Sequence, residues 1–242
     1  FTGMEIPVRT PYAGELVFTA FSGSHQDAIR KGMGARAKAG DDALWDVPYL
    51  LIDPHDIGRD YEGIIRINRQ SGKGGAAFIL EQNYGLALPK EMHPVFGDII
   101  KKAADNAQRE LLPEEIYTAF ENHWLKSSAP LKILDLNETH LDGNVSEVIC
   151  RANVEWKGKK YSIEAEGNGP LDAFALALKQ TPAPLFNITS FHEHSVGKGS
   201  DTNAMAYVKI TADGGKTAWG AGKSSNVGRA GIAAVVSAIN DL

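Results

Sequence analysis

His192-Glu193-His194 puts two imidazoles at i and i+2, which on a strand is one face and a spacing able to ligate a metal. A third ligand would have to come from a distance, with Asp201 and His140 as candidates; the plainer alternative is two hydrogen-bonded or solvent-facing histidines. His25 and Tyr49 form a second combination, because an imidazole titrates near neutrality and a phenol can donate a proton or orient water. Ser71-Gly72-Lys73-Gly74-Gly75 has the composition of a phosphate loop without the G-x-x-x-x-G-K-[ST] spacing, so a hinge or helix-start loop is the simpler reading. The loops before Leu171 and before Val227 each open a helix, whose unpaired N–H groups and partial positive charge can receive a carboxylate. Gly167 and Gly169 would let backbone approach such a ligand, although turns and caps alone would use the same residues. No G-x-S-x-G, Cys/His nucleophile signature or dinucleotide-binding fingerprint is present.

Residues 1–21 read as a loop punctuated by Pro7, Pro11 and Gly14 that feeds a short apolar segment. A helix is expected over Ala28–Lys38, with Ser22 or Ser24 as N-cap and Gly40 as its stop, so His25 sits at an element end. Asp53-Pro54 signals a short second helix ended by Gly58, with Tyr49 just ahead of it. Ile64, Ile65 and Ile67 predict a brief extended piece. Helices follow over Ala76–Tyr84, stopped by Gly85, over Lys90–Ala107, and over Glu114–Leu125 behind Pro113. These short helices point to small linked subdomains, with a boundary at Ser127-Ser128-Ala129-Pro130.

Beyond that boundary the hydrophobic period changes from 3.6 to 2. Val148, Cys150, Ala152, Val154 and Trp156 alternate with polar residues, turn at Lys157-Gly158, and are followed by Tyr161, Ile163 and Ala165 in the same alternation, a hairpin pattern. A helix with Leu171, Phe174, Ala175 and Leu178 on one face comes next. The order then recurs: a strand at Ala204–Ile210, a turn at Asp213-Gly214-Gly215, a strand at Thr217–Gly222, and a helix with Ile232, Val235, Val236 and Ile239 on one face. Laying Lys216 on Lys159 also lays Ala230 on Ala173, Ala234 on Ala177 and Val235 on Leu178. With further strands near Leu131–Leu136 and Phe186–Val196, residues 130–242 read as two strand-strand-strand-helix units. Such a duplication places the two helix starts, near Asn168 and Asn226, about a pseudo-two-fold axis.

The chain has 242 residues, 43% hydrophobic and 23% charged, with 25 Lys and Arg against 30 Asp and Glu for a net charge of −5. That is ordinary for a globular protein and favours neither disorder nor a nucleic-acid partner. Cys150 is the single cysteine and cannot form an intrachain disulfide, and no apolar run approaches the roughly 18 residues of a membrane span. A reducing, aqueous compartment is expected, with no membrane partner. Phe1-Thr2-Gly3 has no basic-then-apolar leader, and the chain is expected to begin mid-protein.

The run Tyr12-Ala13-Gly14-Glu15-Leu16-Val17-Phe18-Thr19-Ala20-Phe21-Ser22-Gly23-Ser24-His25-Gln26-Asp27-Ala28-Ile29 closely resembles the 2-isopropylmalate synthase family. The resemblance continues through Val47-Pro48-Tyr49, Ile52-Asp53-Pro54, Ser71–Gly75, Gly167-Asn168-Gly169-Pro170 and Val235–Asn240, nearly the whole chain. It implies an α+β C-terminal portion: helical linker subdomains followed by a duplicated βββα regulatory domain that binds leucine, the catalytic (β/α)8 barrel being absent. The expected divisions are 1–14 as the end of the barrel, 15–63 and 64–129 as linker subdomains I and II, and 130–242 as the regulatory, dimerising domain. In such enzymes a divalent metal (zinc, magnesium or manganese) is held in the barrel, commonly by a His-x-His pair. His192 and His194 fall in the regulatory portion, so they are not that pair and no metal or other cofactor is expected in this chain.

The family reaction condenses acetyl-CoA with 3-methyl-2-oxobutanoate, chemistry that needs a polarised ketone and a base to form the acetyl enolate. By resemblance His25 and Tyr49 take acid/base or water-orienting roles, with His25 reaching the partner subunit's barrel. The chain alone is expected to be inactive, homodimeric and cytoplasmic. The family's leucine pocket maps to Asn168, Gly169, Asp172, Ile188, Phe191, Ser195 and Val227. Apolar Ile188, Phe191 and Val227 would take the isobutyl group, and Asp172 either meets the ammonium or serves as a helix-start charge. Strict alternation sets Ile188 and Phe191 on opposite strand faces, so both line one pocket only if the strand bulges or ends between them. One methylene is worth about 1–3 kcal/mol, which leaves leucine and isoleucine unseparated by sequence. The alternatives are the regulatory part of a citramalate synthase, which responds to isoleucine, and a free-standing amino-acid-binding and dimerisation module.

Overall fold

The computed structural model describes residues 6–7, 9–20, 23–40, 43–58, 75–109, 111–140, 147–197 and 202–242. Ser22, Ile64, Ile65, Ile67, Ser71–Gly74 and Asp201 lie outside the described residues, as does the His140 side chain. The chain divides into two compact units, Phe1–Asn83 with His93–Ile116, and Tyr84–Met92 with Tyr117–Leu242.

The first unit gathers Phe18, Ile29, Val47 and Leu50 into a core, with Ala20, Met33, Trp45 and Ile52 packed against it. Helix α1 (Gly23–Ala39) supplies Ile29 and Met33, four residues apart on one face. It begins earlier than the hydrophobic pattern indicated, so Ser24 lies in the first turn and not at the cap, and it stops at Gly40 with φ of 88°. Asp53 caps the short 3-10 turn Pro54–Ile57 by accepting from the His55 N–H, and Gly58 ends it at φ of 68°. Helix α2 (Gly75–Tyr84) is stopped by Gly85 at φ of 67°. The helix expected over Lys90–Ala107 is a 3-10 turn, Lys90–Met92, followed by α3 (His93–Ala107), with Pro94 in the first turn, where its missing N–H costs nothing. Helix α4 (Pro113–Phe120) widens into a π-type turn at Glu121–Leu125, where a continuous α-helix had been expected.

The second unit holds the duplication. Strands β1 (Leu131–His140), β2 (Val148–Trp156) and β3 (Lys159–Gly167) form one antiparallel sheet in that order and are followed by α5 (Pro170–Leu178). Strands β4 (Phe186–Val196), β5 (Asn203–Ala212) and β6 (Thr217–Ser224) form the second, followed by α6 (Val227–Asn240). The fold is α+β, and no closed barrel is found among the described residues. One buried cluster joins the repeats, running from Leu131, Val154 and Ile163 through Phe174 and Leu178 to Val208, Ile210, Val235 and Ile239. The first strand of each repeat carries a bulge just after its third residue, between Ile133 and Asp135 and between Ile188 and Ser190.

The two helices sit differently on their sheets. An ideal Cβ at Gly220 would lie 2.0 Å from the Ala234 carbonyl oxygen, and one at Gly222 would lie 2.2 Å from that of Ala230. Only glycine lets α6 come so near its sheet, whereas β3 has Ile163 and Ala165 at the corresponding positions under α5. At the outer edge of β6, Trp124 Nε1 donates to the Trp219 carbonyl at 2.9 Å and the Trp124 carbonyl accepts from Ser237 Oγ of α6 at 2.9 Å. The far face of the first sheet instead bears an open polar groove of about 480 Å³, lined by residues including Asp135, Asn137 and Asn153, where Arg151 is already paired with Glu164 at 2.7 Å.

Candidate functional site

The starts of α5 and α6 abut. An ideal Cβ on Gly228 would fall 3.1 Å from both Cβ and Cγ of Pro170, so the first turns of the two helices meet at a glycine and a proline. The chain reaches α5 through Gly167, whose Cβ would lie 2.4 Å from the Ala173 nitrogen, and through Gly169, at φ of 140° and ψ of 170°. Glycine is thus required at 167 by close approach and at 169 by backbone conformation. The Asp172 carboxylate accepts the Asn168 N–H at 3.0 Å, closing the loop over the helix start. At the other helix, Asn226 is the cap and its Oδ1 accepts the Arg229 N–H at 3.0 Å.

The bulge in β4 decides where Phe191 goes. Ile188 pairs with Ile210 and Phe191 with Val208, two residues of one face of β5, so the extra residue Thr189 brings Ile188 and Phe191 to the same, helix-bearing side. There the Phe191 ring lies beside Gly231 of α6 and Leu171 of α5: a Cβ at Gly231 would be 3.3 Å from Phe191 Cε2 and 3.3 Å from Leu171 Cδ1. Phe191 remains 41% exposed and Val227 49%. Asn168, Gly169, Asp172, Phe191 and Val227 therefore converge where the two helices begin. Ile188 and Ser195 share the Phe191 face but stand toward opposite ends of β4, about 20 Å apart at 3.3 Å per residue, too far for both to touch one small ligand.

Asp172 and Arg229 occupy the same position, the third of their helices, in the two repeats. An acid and a base thus stand in the first turns of two abutting helices, beside a half-exposed aromatic ring. Arg229 Nη2 also reaches toward the Leu136 carbonyl of β1, at 3.4 Å. Arg229 and Gly231 are not among the residues that the sequence marks, and Leu171 is marked there only as part of the apolar face of its helix. Laying the second repeat on the first sets Arg229 on Asp172, and that signal was available.

A family model described as alpha-isopropylmalate synthase, post-catalytic domain-like, matches residues 15–81, and one described as LeuA allosteric (dimerisation) domain matches residues 110–242. The chain belongs to the LeuA allosteric domain family. It is 47% identical to the 2-isopropylmalate synthase of Clostridium acetobutylicum, over 99% of this chain and 43% of the relative. It is 44% identical to that of Acetoanaerobium sticklandii, over 100% of this chain and 42% of the relative, and 43% identical to that of Brucella melitensis, over 98% and 42%. The chain thus spans rather less than half the length of these curated relatives. The site at the helix starts lies within the LeuA allosteric domain, and His25 and Tyr49 lie within the post-catalytic match.

The His25 and Tyr49 rings are stacked, with centroids 4.0 Å apart and planes at 27°. Tyr49 sits in a turn closed by the Leu50 N–H donating to the Val47 carbonyl, with Pro48 second and Tyr49 third at φ of 66°, a type II pattern whose third residue is ordinarily glycine. A 60% exposed tyrosine held in that conformation is a strained presentation of the ring. Gln26, next to His25, is 4% exposed; its Nε2 donates to the Ala20 carbonyl at 2.7 Å, fixing the start of α1.

His192 and His194 do share a face, paired with Tyr207 and Met205. Their ring nitrogens are engaged apart from each other: His192 Nε2 lies 3.0 Å from Ser190 Oγ, and His194 Nε2 lies 3.0 Å from the Gly85 carbonyl and 3.3 Å from the Ala87 nitrogen. Among the described residues no cluster of three or more His, Cys, Asp or Glu side chains could hold a metal ion. The divalent metal implied by the family therefore finds no fitting donor set among them. No helix among them is long and apolar enough to cross a membrane.

Proposed function

We propose that the junction of α5 and α6 is a leucine site and that the chain is the regulatory, post-barrel part of a 2-isopropylmalate synthase. The observation that carries the reading is the Asp172–Arg229 arrangement: an α-amino acid brings an ammonium and a carboxylate a few ångströms apart. Two helix starts beside an arginine favour the carboxylate, and Asp172 favours the ammonium. Phe191, Leu171 and Val227 offer the apolar surface for a branched side chain, with Ile188 and Ser195 flanking along β4. Leucine is favoured over isoleucine because the three relatives compared above are named 2-isopropylmalate synthase, the family whose regulatory domain the resemblance assigns to leucine.

In the whole enzyme, acetyl-CoA and 3-methyl-2-oxobutanoate meet in a barrel whose divalent metal polarises the ketone. The residues of this chain that would act there are His25 and Tyr49. Stacking fixes the imidazole plane against the phenol, so either group can move a proton or orient water at a site presented to it by the partner subunit. The chain by itself would not turn over substrate. A homodimer in the cytoplasm, with linker subdomains at 15–63 and 64–129 ahead of the regulatory domain at 130–242, completes the proposal.

The test is calorimetric titration of the chain with leucine, with isoleucine and valine as controls. Saturable binding that weakens at least tenfold in Asp172→Asn and in Arg229→Gln is expected. Asp172→Asn keeps an acceptor for the Asn168 N–H, so a loss there reads the charge and not the loop. Absence of binding by the folded chain, or binding indifferent to both substitutions, would overturn the reading.

A further inference from the structure

Strand β4 has two working faces. One carries Ile188, Phe191 and Ser195 on the side of α6; the other carries His192 and His194, which pair with Tyr207 and Met205 of β5. Against that second face runs the segment Tyr84–Met92, which belongs to this unit although the chain on either side of it belongs largely to the other. Two side chains of the sheet, His194 and Lys209, tie the segment down. His194 Nε2 lies 3.0 Å from the Gly85 carbonyl and 3.3 Å from the Ala87 nitrogen, so either neutral tautomer has a backbone partner there. The His194 ring stacks on Tyr207 with centroids 5.6 Å apart and planes at 20°, and Tyr207 is wholly buried. Lys209, on the same face of β5, donates to Glu91 Oε2 at 2.9 Å. Leu86, Leu88 and Met92 of the segment are buried, and Gly85 adopts a φ of 67° that commits the backbone to its path.

We infer that residues 84–92 form a strap through which occupancy of the amino-acid site on one face of β4 is passed to the helices on either side of the strap, with His194 as the positioning residue. The inference rests on the reading of that site as an amino-acid site. Phe191 and His192 share a peptide unit, so a ligand that presses on the Phe191 ring far enough to shift its Cα also shifts the backbone from which the His192 and His194 side chains project. The bulge at Thr189 interrupts the β4–β5 ladder just before this stretch, and from Ser190 to Val196 the pairing with β5 is continuous, so a shift at Phe191 is carried along the strand to His194. The strap continues directly from α2 at Tyr84 and into α3 at His93, so a change in it is delivered covalently in both directions. Coupling of this kind is reciprocal: if leucine alters the strap, releasing the strap alters leucine affinity by the same factor.

The experiment is hydrogen exchange with mass spectrometry on the full chain, with and without saturating leucine, alongside calorimetry on His194→Ala, His194→Gln and Glu91→Gln. Leucine is expected to change exchange in the peptide covering 84–92 at least threefold. His194→Ala is expected to speed exchange there without ligand and to shift leucine affinity at least threefold, with His194→Gln, which retains a donor for the Gly85 carbonyl, closer to wild type. Leucine that binds and protects 188–195 while leaving 84–92 unchanged would overturn the strap and leave the site standing. So would a His194→Ala chain with a loosened strap and unaltered leucine affinity. A folded wild-type chain that binds no leucine would overturn the site and the strap together. The wild-type exchange comparison needs no variant, so a substitution that fails to fold does not shelter the proposal.

Discussion

Substituting Gly220 by Ala tests the closest approach in the fold. The added Cβ would lie 2.0 Å from the Ala234 carbonyl oxygen and 2.3 Å from the Ala238 nitrogen, against an ordinary contact of 3.4 Å or more. Both are backbone atoms of α6, so no side chain can swing aside, and the helix must retreat by about 1.4 Å. A radial gap of 0.5–1 Å already forfeits a quarter to a half of a dispersion well, and α6 buries most of its residues from Ala230 to Ile239. Overpacking costs about 1–3 kcal/mol where neighbours can adjust; here a whole helix face lifts, so a loss of about 3–5 kcal/mol is expected. With a urea slope of about 2 kcal/mol/M, the midpoint falls by about 1.5–2.5 M. Gly222→Ala, at 2.2 Å from the Ala230 oxygen, should cost a similar amount. The double variant should cost clearly less than the sum, because the first substitution has already moved the helix. Gly34→Ala is the control: nothing lies within 4 Å of its Cβ in the interior of α1, and a gain of about 0.5–1 kcal/mol is expected. A Gly220→Ala loss below about 1 kcal/mol, or full additivity with Gly222→Ala, would refute the argument that backbone contact sets the position of α6.

Tyr207 is fully buried with a hydroxyl that has no hydrogen-bond partner among the described residues, and burial pushes its ionisation well above the usual phenol range. Tyr207→Phe should therefore be neutral or stabilising by up to about 2 kcal/mol in urea unfolding; a loss of more than 1 kcal/mol would mean the hydroxyl is bonded. Burial, with a smaller contribution from the Glu138 charge, raises the Cys150 thiol to about 11, so labelling by a disulfide reagent at pH 8 should proceed only as fast as the fold opens. Rapid stoichiometric labelling of the native chain would contradict this. Hydrogen bonds from Arg109 and from the Leu112 N–H lower Glu115 to about 2. Its contribution is therefore complete above the unfolded carboxylate range and is lost as pH falls from about 4.5 through about 2. Wild type should unfold at higher urea than Glu115→Gln at pH 6 and lose that margin by pH 2; an undiminished margin at pH 2 would show that the charge is not responsible.

The alternation of residues 148–156 made the first unit legible, because a sheet buried on one face imposes a period of two that no helix shares, whereas in β5 Met205 and Tyr207 on the second face are buried too and the repeat shows in element order and turn position. The bulge was legible only as a condition. Whether Ile188 and Phe191 share a face depends on which residues of β5 they meet, and pairing with Ile210 and Val208 settles it. The i and i+2 glycines at 220 and 222 lie on one strand face and are, in retrospect, a readable sign of a close helix. The occupation of His194 by residues more than a hundred positions away had no local signal, and the same is true of the Phe191–Leu171–Gly231 junction. Tyr49 falls between these cases: a proline at 48 marks the turn, but the positive φ at a tyrosine appears only once the Leu50 to Val47 hydrogen bond closes it.

What distinguishes the two repeats matters more for the site than what they share. Strand order, bulge position and a helix following the third strand are common to both, and the two helix starts come together. If the third residue of each helix were the same, the junction would hold two like charges, and either one end of an amino acid or the other would be repelled. Aspartate in one repeat and arginine in the other turn a symmetric frame into a polar one, the asymmetry on which the proposed binding of an amino acid rests. The same divergence appears on the outer faces, where the first sheet stays open and polar while the second is crossed by residues 84–92. A duplicated unit that has diverged at its charges and at its outer face would therefore, on the proposed reading, bind an asymmetric ligand and couple it reciprocally to residues 84–92.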